Sequence, residues 1–153
     1  RSDVYKRQDQ GRDTYKKKLL RLVEQHRLSN DVIFLDHANS MPVAYSIANV
    51  VVSASIEPEA FGRVSVEAQS MKRPIIASDI GGSKETIVDN RTGLLFKSED
   101  PKSLSEKIDN IFRSDDTTLN AMGNSGRKNV EQKFNVEKMC FSTYSEYKKL
   151  INA

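Results

Sequence analysis

Thiol and indole are almost missing from this chain. In 153 residues there is one cysteine, Cys140, and no tryptophan. One cysteine excludes any internal disulfide, which suits a reducing compartment. Histidine is nearly as rare, with two, and no His/Asp cluster shows metal-ligand spacing. No apolar run approaches the length of a membrane span, and no secretory leader is visible. Charge of one sign is also lacking: 24 basic against 21 acidic residues leaves +3. That is no footprint for nucleic acid, which would want a dense basic face. What remains, 29% charged and 37% hydrophobic, describes one folded domain with enough chain for a core.

Short apolar runs alternate with helical patterns. Residues 32–35, 50–54, 74–77 and 93–96 each read as a buried strand. Tyr15, Leu19, Leu22 and Val23 fall at helical spacing, in a helix expected to end near Ser29 and Asn30. Its run Lys16, Lys17, Lys18 and Arg21 is read as a solvated face, with a membrane-surface patch as the other reading. Met41 and Pro42 open a short helix, and Ala44, Tyr45, Ile47 and Ala48 are expected to pack it on the sheet. Ser83 is expected to cap a helix carrying Glu85, Thr86, Ile87 and Val88. Asp100 and Pro101 form a cap and first turn, followed by a stripe of Leu104, Ile108 and Ile111. A second helix holds Leu119, Met122, Val130 and Phe134, with Gly123 and Gly126 expected to weaken its middle. Asn135 is expected to cap a third, with Met139, Thr143, Tyr147 and Ile151 on one side; Phe141, Tyr144 and Tyr147 are read as core. Strands alternating with helices imply an α/β, Rossmann-like parallel sheet with flanking helices. The formal sequon Asn90-Arg91-Thr92 carries no weight without a secretion signal.

Residues 55–69, SIEPEAFGRVSVEAQ, carry the chemistry. They follow a strand and run through an acidic turn and a glycine into a helix. Gly62 permits close backbone approach. The helix beginning at Gly62, Arg63 and Val64 would aim free N–H groups and a positive dipole end at an anion. Glu67, one turn in, suits a diol such as ribose, and Glu59 can reach another part of the same ligand. In parallel sheets ligands bind beyond the carboxyl ends of the strands, where both Glu59 and Gly81 fall. The pair Gly81 and Gly82 reads equally as a close approach to ligand or as a tight turn.

The segment PEAFGRVSVEA resembles the E-x7-E signature of retaining GT-B glycosyltransferases, specifically glycosyltransferase family 4. RPIIASDIGGSKETIVDNRTGLLF and VIFLDHANSMPVAYSIANVVVSAS are similar to the segments on either side of it in that family. The resemblance covers Arg12 to about Ile151. It implies the C-terminal, donor-binding half of a GT-B fold, and transfer of a sugar from a nucleotide-diphosphate donor to a glycan or lipid-linked acceptor with retention. It implies that Glu67 holds the ribose hydroxyls and that Glu59, the residue assigned to catalysis, holds and orients the donor sugar. The backbone at Ala60, Phe61, Gly62, Arg63 and Val64 would face sugar and phosphates, with Gly81 and Gly82 nearby and His37 and Ala38 beside the base. No metal and no cofactor beyond the nucleotide sugar is expected. The final helix would brace a partner domain. EPEAFGRVSVEAQ and DHANSMPVAY resemble segments of bacterial enzymes that build lipopolysaccharide core or similar envelope glycans, a resemblance that implies a cytoplasmic protein, with peripheral association at the inner face of the membrane.

The family's diphosphate-clamping G-R-x-x-x-K-G loop is not found. Residues 1–8, RSDVYKRQ, resemble a translated sequencing adapter, so they are expected to be non-native and the domain to run over 9–153 without its first strands. Such a chain should hold a partial donor site and turn nothing over. Its sheet should be incomplete, with either a gap or residues 32–35 paired abnormally against 50–54. Two other classes stay open. One is a GT-B enzyme of different chemistry, a sugar-nucleotide epimerase or a phosphorylase. The other is a non-catalytic nucleotide-binding module.

Overall fold

A computed structural model describes residues 2–34 and 40–151, with side chains from residue 14 onward. The chain divides into two units, Arg1–Asn39 and Ser40–Ala153.

The first unit is built on helix α1, Ser2–Gln25, which stops earlier than its pattern suggested. Leu19 and Val23 are half-buried, whereas Tyr15 and Leu22 are exposed. A turn follows, in which the amides of Asp31 and Val32 both donate to the carbonyl of Leu28. The strand expected over 32–35 is therefore corrected: residues 32–34 form none, and Ile33 is 84% exposed. An apolar run needs a ladder partner to become a strand, and the Val32 amide is spent on the turn. Leu35 lies outside the described residues.

In the second unit the order is α2 (Met41–Ile47), β1 (Val51–Ser53), α3 (Arg63–Ser70), β2 (Ile75–Ser78), α4 (Ser83–Thr86), β3 (Leu94–Phe96), α5 (Pro101–Arg113), α6 (Asp116–Lys133) and α7 (Val136–Ile151). The three strands are parallel and lie in sequence order, with Val51 opposite Ile75 and Ile76 opposite Leu94. Consecutive order of this kind is one half of a doubly wound sheet. Every residue of β2 is buried, as the middle strand of a sheet covered on both faces must be. Strand alternation splits the core in two. Ile75 and Ala77 join Tyr45, Ala68 and Ile87 on one face. Ile76 joins Leu94, Phe96 and Ile111 on the other, with Leu104, Ile108, Leu119 and Met122 packed against them. Of the two irregularities expected for the sheet, the abnormal pairing does not occur among the described residues, since 32–34 are not a strand and β1 pairs with β2.

Helix ends follow local chemistry. Asp100 accepts from the amides of Lys102 and Ser103 at 3.1 Å each, and Asn135 accepts from Lys138 at 2.7 Å. Asp115 caps α6 through the amide of Thr118 at 2.7 Å, a bond that also holds its carboxyl below the usual range. Ser83 is not the cap of α4; Gly82 occupies that place, Ser83 is the first helical residue, and the helix ends at Thr86.

Gly123 and Gly126 do more than weaken α6. A Cβ at Gly123 would lie 2.3 Å from the Lys72 carbonyl oxygen, and one at Gly126 would lie 3.0 Å from Cγ of Gln69. Their missing side chains let α6 close on α3, so close packing offsets the propensity cost. Two packing expectations fail. Ile47 is 77% exposed, and Tyr45 is the buried residue of α2. Helix α7 buries none of its residues, and Phe141, Tyr144 and Tyr147 are all exposed. Neither core cluster includes an α7 side chain, so among the described residues its stripe enters no apolar core.

Candidate functional site at the ends of the first two strands

The turns leaving β1 and β2 are fastened to each other. The amide of Gly82 donates to the carbonyl of Glu59 at 2.8 Å. A Cβ on Gly82 would stand 2.4 Å from the carbonyl carbon of Phe61, and one on Gly81 would stand 2.6 Å from the carbonyl oxygen of Glu59. The Gly-Gly pair thus serves a purpose beside the two weighed from sequence: it lets one turn lie directly on the other. Their bodies touch through backbone, which leaves no room for side chains.

Gly62 ends the first turn with φ +75° and ψ 55° and stands at the N-cap of α3. A residue with a Cβ enters this left-handed region at a cost. No side chain caps α3, and an α-helix leaves its first amides without partners inside the helix. Those amides belong to the stretch picked out from sequence. Arg63 is exposed there, whereas Val64 turns partly into the core. Ala60 and Phe61 are exposed as well, and the Phe61 ring meets that of Phe134 edge-on at 5.6 Å.

The two glutamates are held differently. Glu59 is exposed, and its Oε1 accepts from the hydroxyl of Ser55 at 2.7 Å. Glu67 is gripped at both oxygens. Tyr45 donates its hydroxyl to Oε2 at 2.9 Å, and Arg63 donates to Oε1 at 3.0 Å across one helical turn. About a third of the Glu67 side chain, 34%, remains open to solvent. Tyr45 is 5% exposed. Burial first, then the bond to Glu67 and its charge, push the phenol up to about 12, against a small opposing effect from Arg63.

Beneath the site runs a buried amide network. Gln69 donates to the carbonyls of Ser65 and Thr86, and Thr86 returns its hydroxyl to the Gly82 carbonyl at 2.9 Å. Asn129 of α6 donates to both Gln69 and Thr86. Tyr45, Ser55 and this network were not singled out from sequence as site residues. The available signal for Tyr45 was that a buried phenol needs a partner for its hydroxyl. His37 and Ala38 lie outside the described residues. A surface trough of about 730 Å³ sits at the far end of α3 between Lys72 and Arg127. Its arginine is engaged by the Ser70 carbonyl and Glu131. Among the described residues no helix is long and apolar enough to cross a membrane.

A parallel sheet in consecutive order, with an acid-flanked glycine turn at its carboxyl edge, makes this an α/β domain of Rossmann-like kind, and the solved structures it superposes on are glycosyltransferases of GT-B fold. Residues 10–129 match the family described as "Glycosyl transferases group 1", and the chain belongs to that family. It is 34% identical over 104 residues to the capsular polysaccharide biosynthesis glycosyltransferase CapM of Staphylococcus aureus, covering 68% of this chain and 27% of that protein. A glycosyltransferase crystal structure from Rickettsia africae superposes with a TM-score of 0.84 at 30% identity, over 91% of this chain and 37% of the other. HepE of Anabaena, solved with UDP and glucose, shares the fold at a TM-score of 0.82 and 24% identity, over 90% of this chain and 38% of that one. The chain spans about a quarter of the length of the curated relatives it matches.

Proposed function

We propose that this chain forms the donor-binding part of a glycosyltransferase that moves a sugar from a nucleotide diphosphate to a glycan or lipid-linked acceptor, with retention at the anomeric carbon. Glu67 accepts hydrogen bonds from the ribose hydroxyls. Glu59 holds the hydroxyls of the donor sugar and orients its ring. The first amides of α3, with Gly62 at its cap, face the diphosphate and stabilise negative charge as that group departs from an oxocarbenium-like sugar. His37 and Ala38 belong to the base end of this reading. No metal or further cofactor enters it.

The observation that carries the reading is the pairing of an uncapped α3 with a partly open carboxylate one turn along it. The acceptor class is an envelope glycan, lipopolysaccharide among them; the likeness to a capsule transferase supports it. The full-length enzyme would work in the cytoplasm, peripheral to the inner face of the membrane. Isothermal titration with UDP, GDP and ADP tests donor binding. The wild-type chain should bind one of them, and Glu67→Ala should weaken that binding about tenfold or more, as expected on losing charge-assisted hydrogen bonds. Unchanged affinity in the variant would remove the assigned role of Glu67. Sugar transfer itself is to be assayed with the nucleotide sugar that binds, and the anomer of the product read by NMR.

A further inference from the structure

Glu67 enters the proposed donor site already half-engaged. A carboxylate offers about four lone-pair positions. Tyr45 takes one on Oε2 and Arg63 takes one on Oε1. Two positions remain, and the side chain is open enough to solvent for a ligand to reach them. Two acceptor positions on a fixed plane match the two hydroxyls of a cis diol. The two restraints differ in rigidity. Arg63 is 82% exposed along its side chain, so its grip competes with water. Tyr45 is buried, 5% exposed, in one core cluster with Ala68, Ile75, Ala77 and Ile87, so its hydroxyl points from a more fixed place.

We propose that Tyr45 is a positioning residue for ribose recognition: its buried hydroxyl sets the plane of the Glu67 carboxylate so that the free lone pairs meet the 2′ and 3′ hydroxyls together. This rests on the assignment of Glu67 to the ribose. Its phenol stays protonated throughout the working range, because burial and the neighbouring carboxylate push it up to about 12. It is therefore a constant donor and never a competing anion. Tyr45 touches no reacting atom and acts through Glu67.

The test is affinity for UDP, GDP and ADP, each set against its 2′,3′-dideoxy form, by titration calorimetry on the 153-residue chain. Wild type should prefer the ribose form. Tyr45→Phe keeps the ring and removes the hydroxyl. It should weaken the ribonucleotide about five- to tenfold and leave the dideoxy form within about twofold, since one lost restraint on a charged acceptor is worth roughly that much. In a Glu67→Ala background the same substitution should change neither affinity, because the partner through which it acts is gone. Equal losses for ribo and dideoxy forms, or an undiminished loss in the Glu67→Ala background, would show a purely structural tyrosine and overturn the proposal. Failure of the wild-type chain to bind any of the three nucleotides would instead overturn the donor-site assignment beneath it.

Discussion

Asn129 donates through Nδ2 to Oε1 of Gln69 at 3.0 Å, although 60 positions separate them in the chain. The same nitrogen reaches the Thr86 carbonyl at 3.1 Å. Helices α3, α4 and α6 are thereby joined inside the protein by amides instead of hydrocarbon. Replacing Asn129 with Ala leaves Gln69 Oε1 buried without this donor. Unfolding by urea should show a loss of about 1–3 kcal/mol, the cost of one orphaned buried acceptor. Asn129→Leu should not recover it. A variant as stable as wild type would mean that water replaces the amide.

Gly62 and Gly82 separate two kinds of glycine requirement. At Gly62 an added Cβ has room, 3.4 Å from the nearest backbone atom, but φ is +75°. Gly62→Ala should cost about 1–2 kcal/mol, the price of a left-handed residue. At Gly82 the backbone angles are ordinary, but the Cβ would collide with Phe61 backbone. Backbone yields less readily than the end of a side chain, so Gly82→Ala should cost about 1–3 kcal/mol of overpacking. It should also shift the turn carrying Glu59 and weaken UDP, GDP or ADP binding. Thermal melts and calorimetry on both variants measure the two effects separately.

Alkaline titration reports the Tyr45 contact. Its phenol moves from 10.0 to about 12 on folding, so the folded state favours the protonated form. The stability this supplies is complete below pH 10 and is lost as pH climbs through 10 to 12. Tyr45→Phe lacks that increment. Urea midpoints of the two proteins should differ below pH 10 by an amount matching about 1.5–3 kcal/mol, the value of a hydrogen bond to a charged group, and converge as the pH rises. A constant gap would place the difference in packing.

Asp100 closes the first turn of α5 with two accepted amides. Asp100→Ala should lower stability by about 1 kcal/mol, and Asp100→Ser should restore most of it. The melting temperature of each variant decides this.

Much of this could be read from residues alone, for reasons the structure makes plain. Strands β1 to β3, the helix after Gly62 and the caps at Asp100 and Asn135 depend on neighbours within a few positions, and their signals are local. What was hidden depends on distance along the chain. Tyr45 meets Glu67 across 22 positions, and Gly82 meets Phe61 only once two turns fold against each other. Periodicity names the apolar side of α7 but not whether a core lies opposite it, so Phe141, Tyr144 and Tyr147 were misplaced. Residues 32–34 show the converse: hydrophobicity without a pairing partner leaves a turn.

A hydrogen bond already made is a donor withdrawn from any visitor. Gly82 spends its N–H on Glu59, so its contribution to an incoming anion would be leverage rather than contact. It fixes the height at which the neighbouring turn presents its own amides. The two turns therefore share one hydrogen bond and one close backbone seam, and the position of either depends on the other.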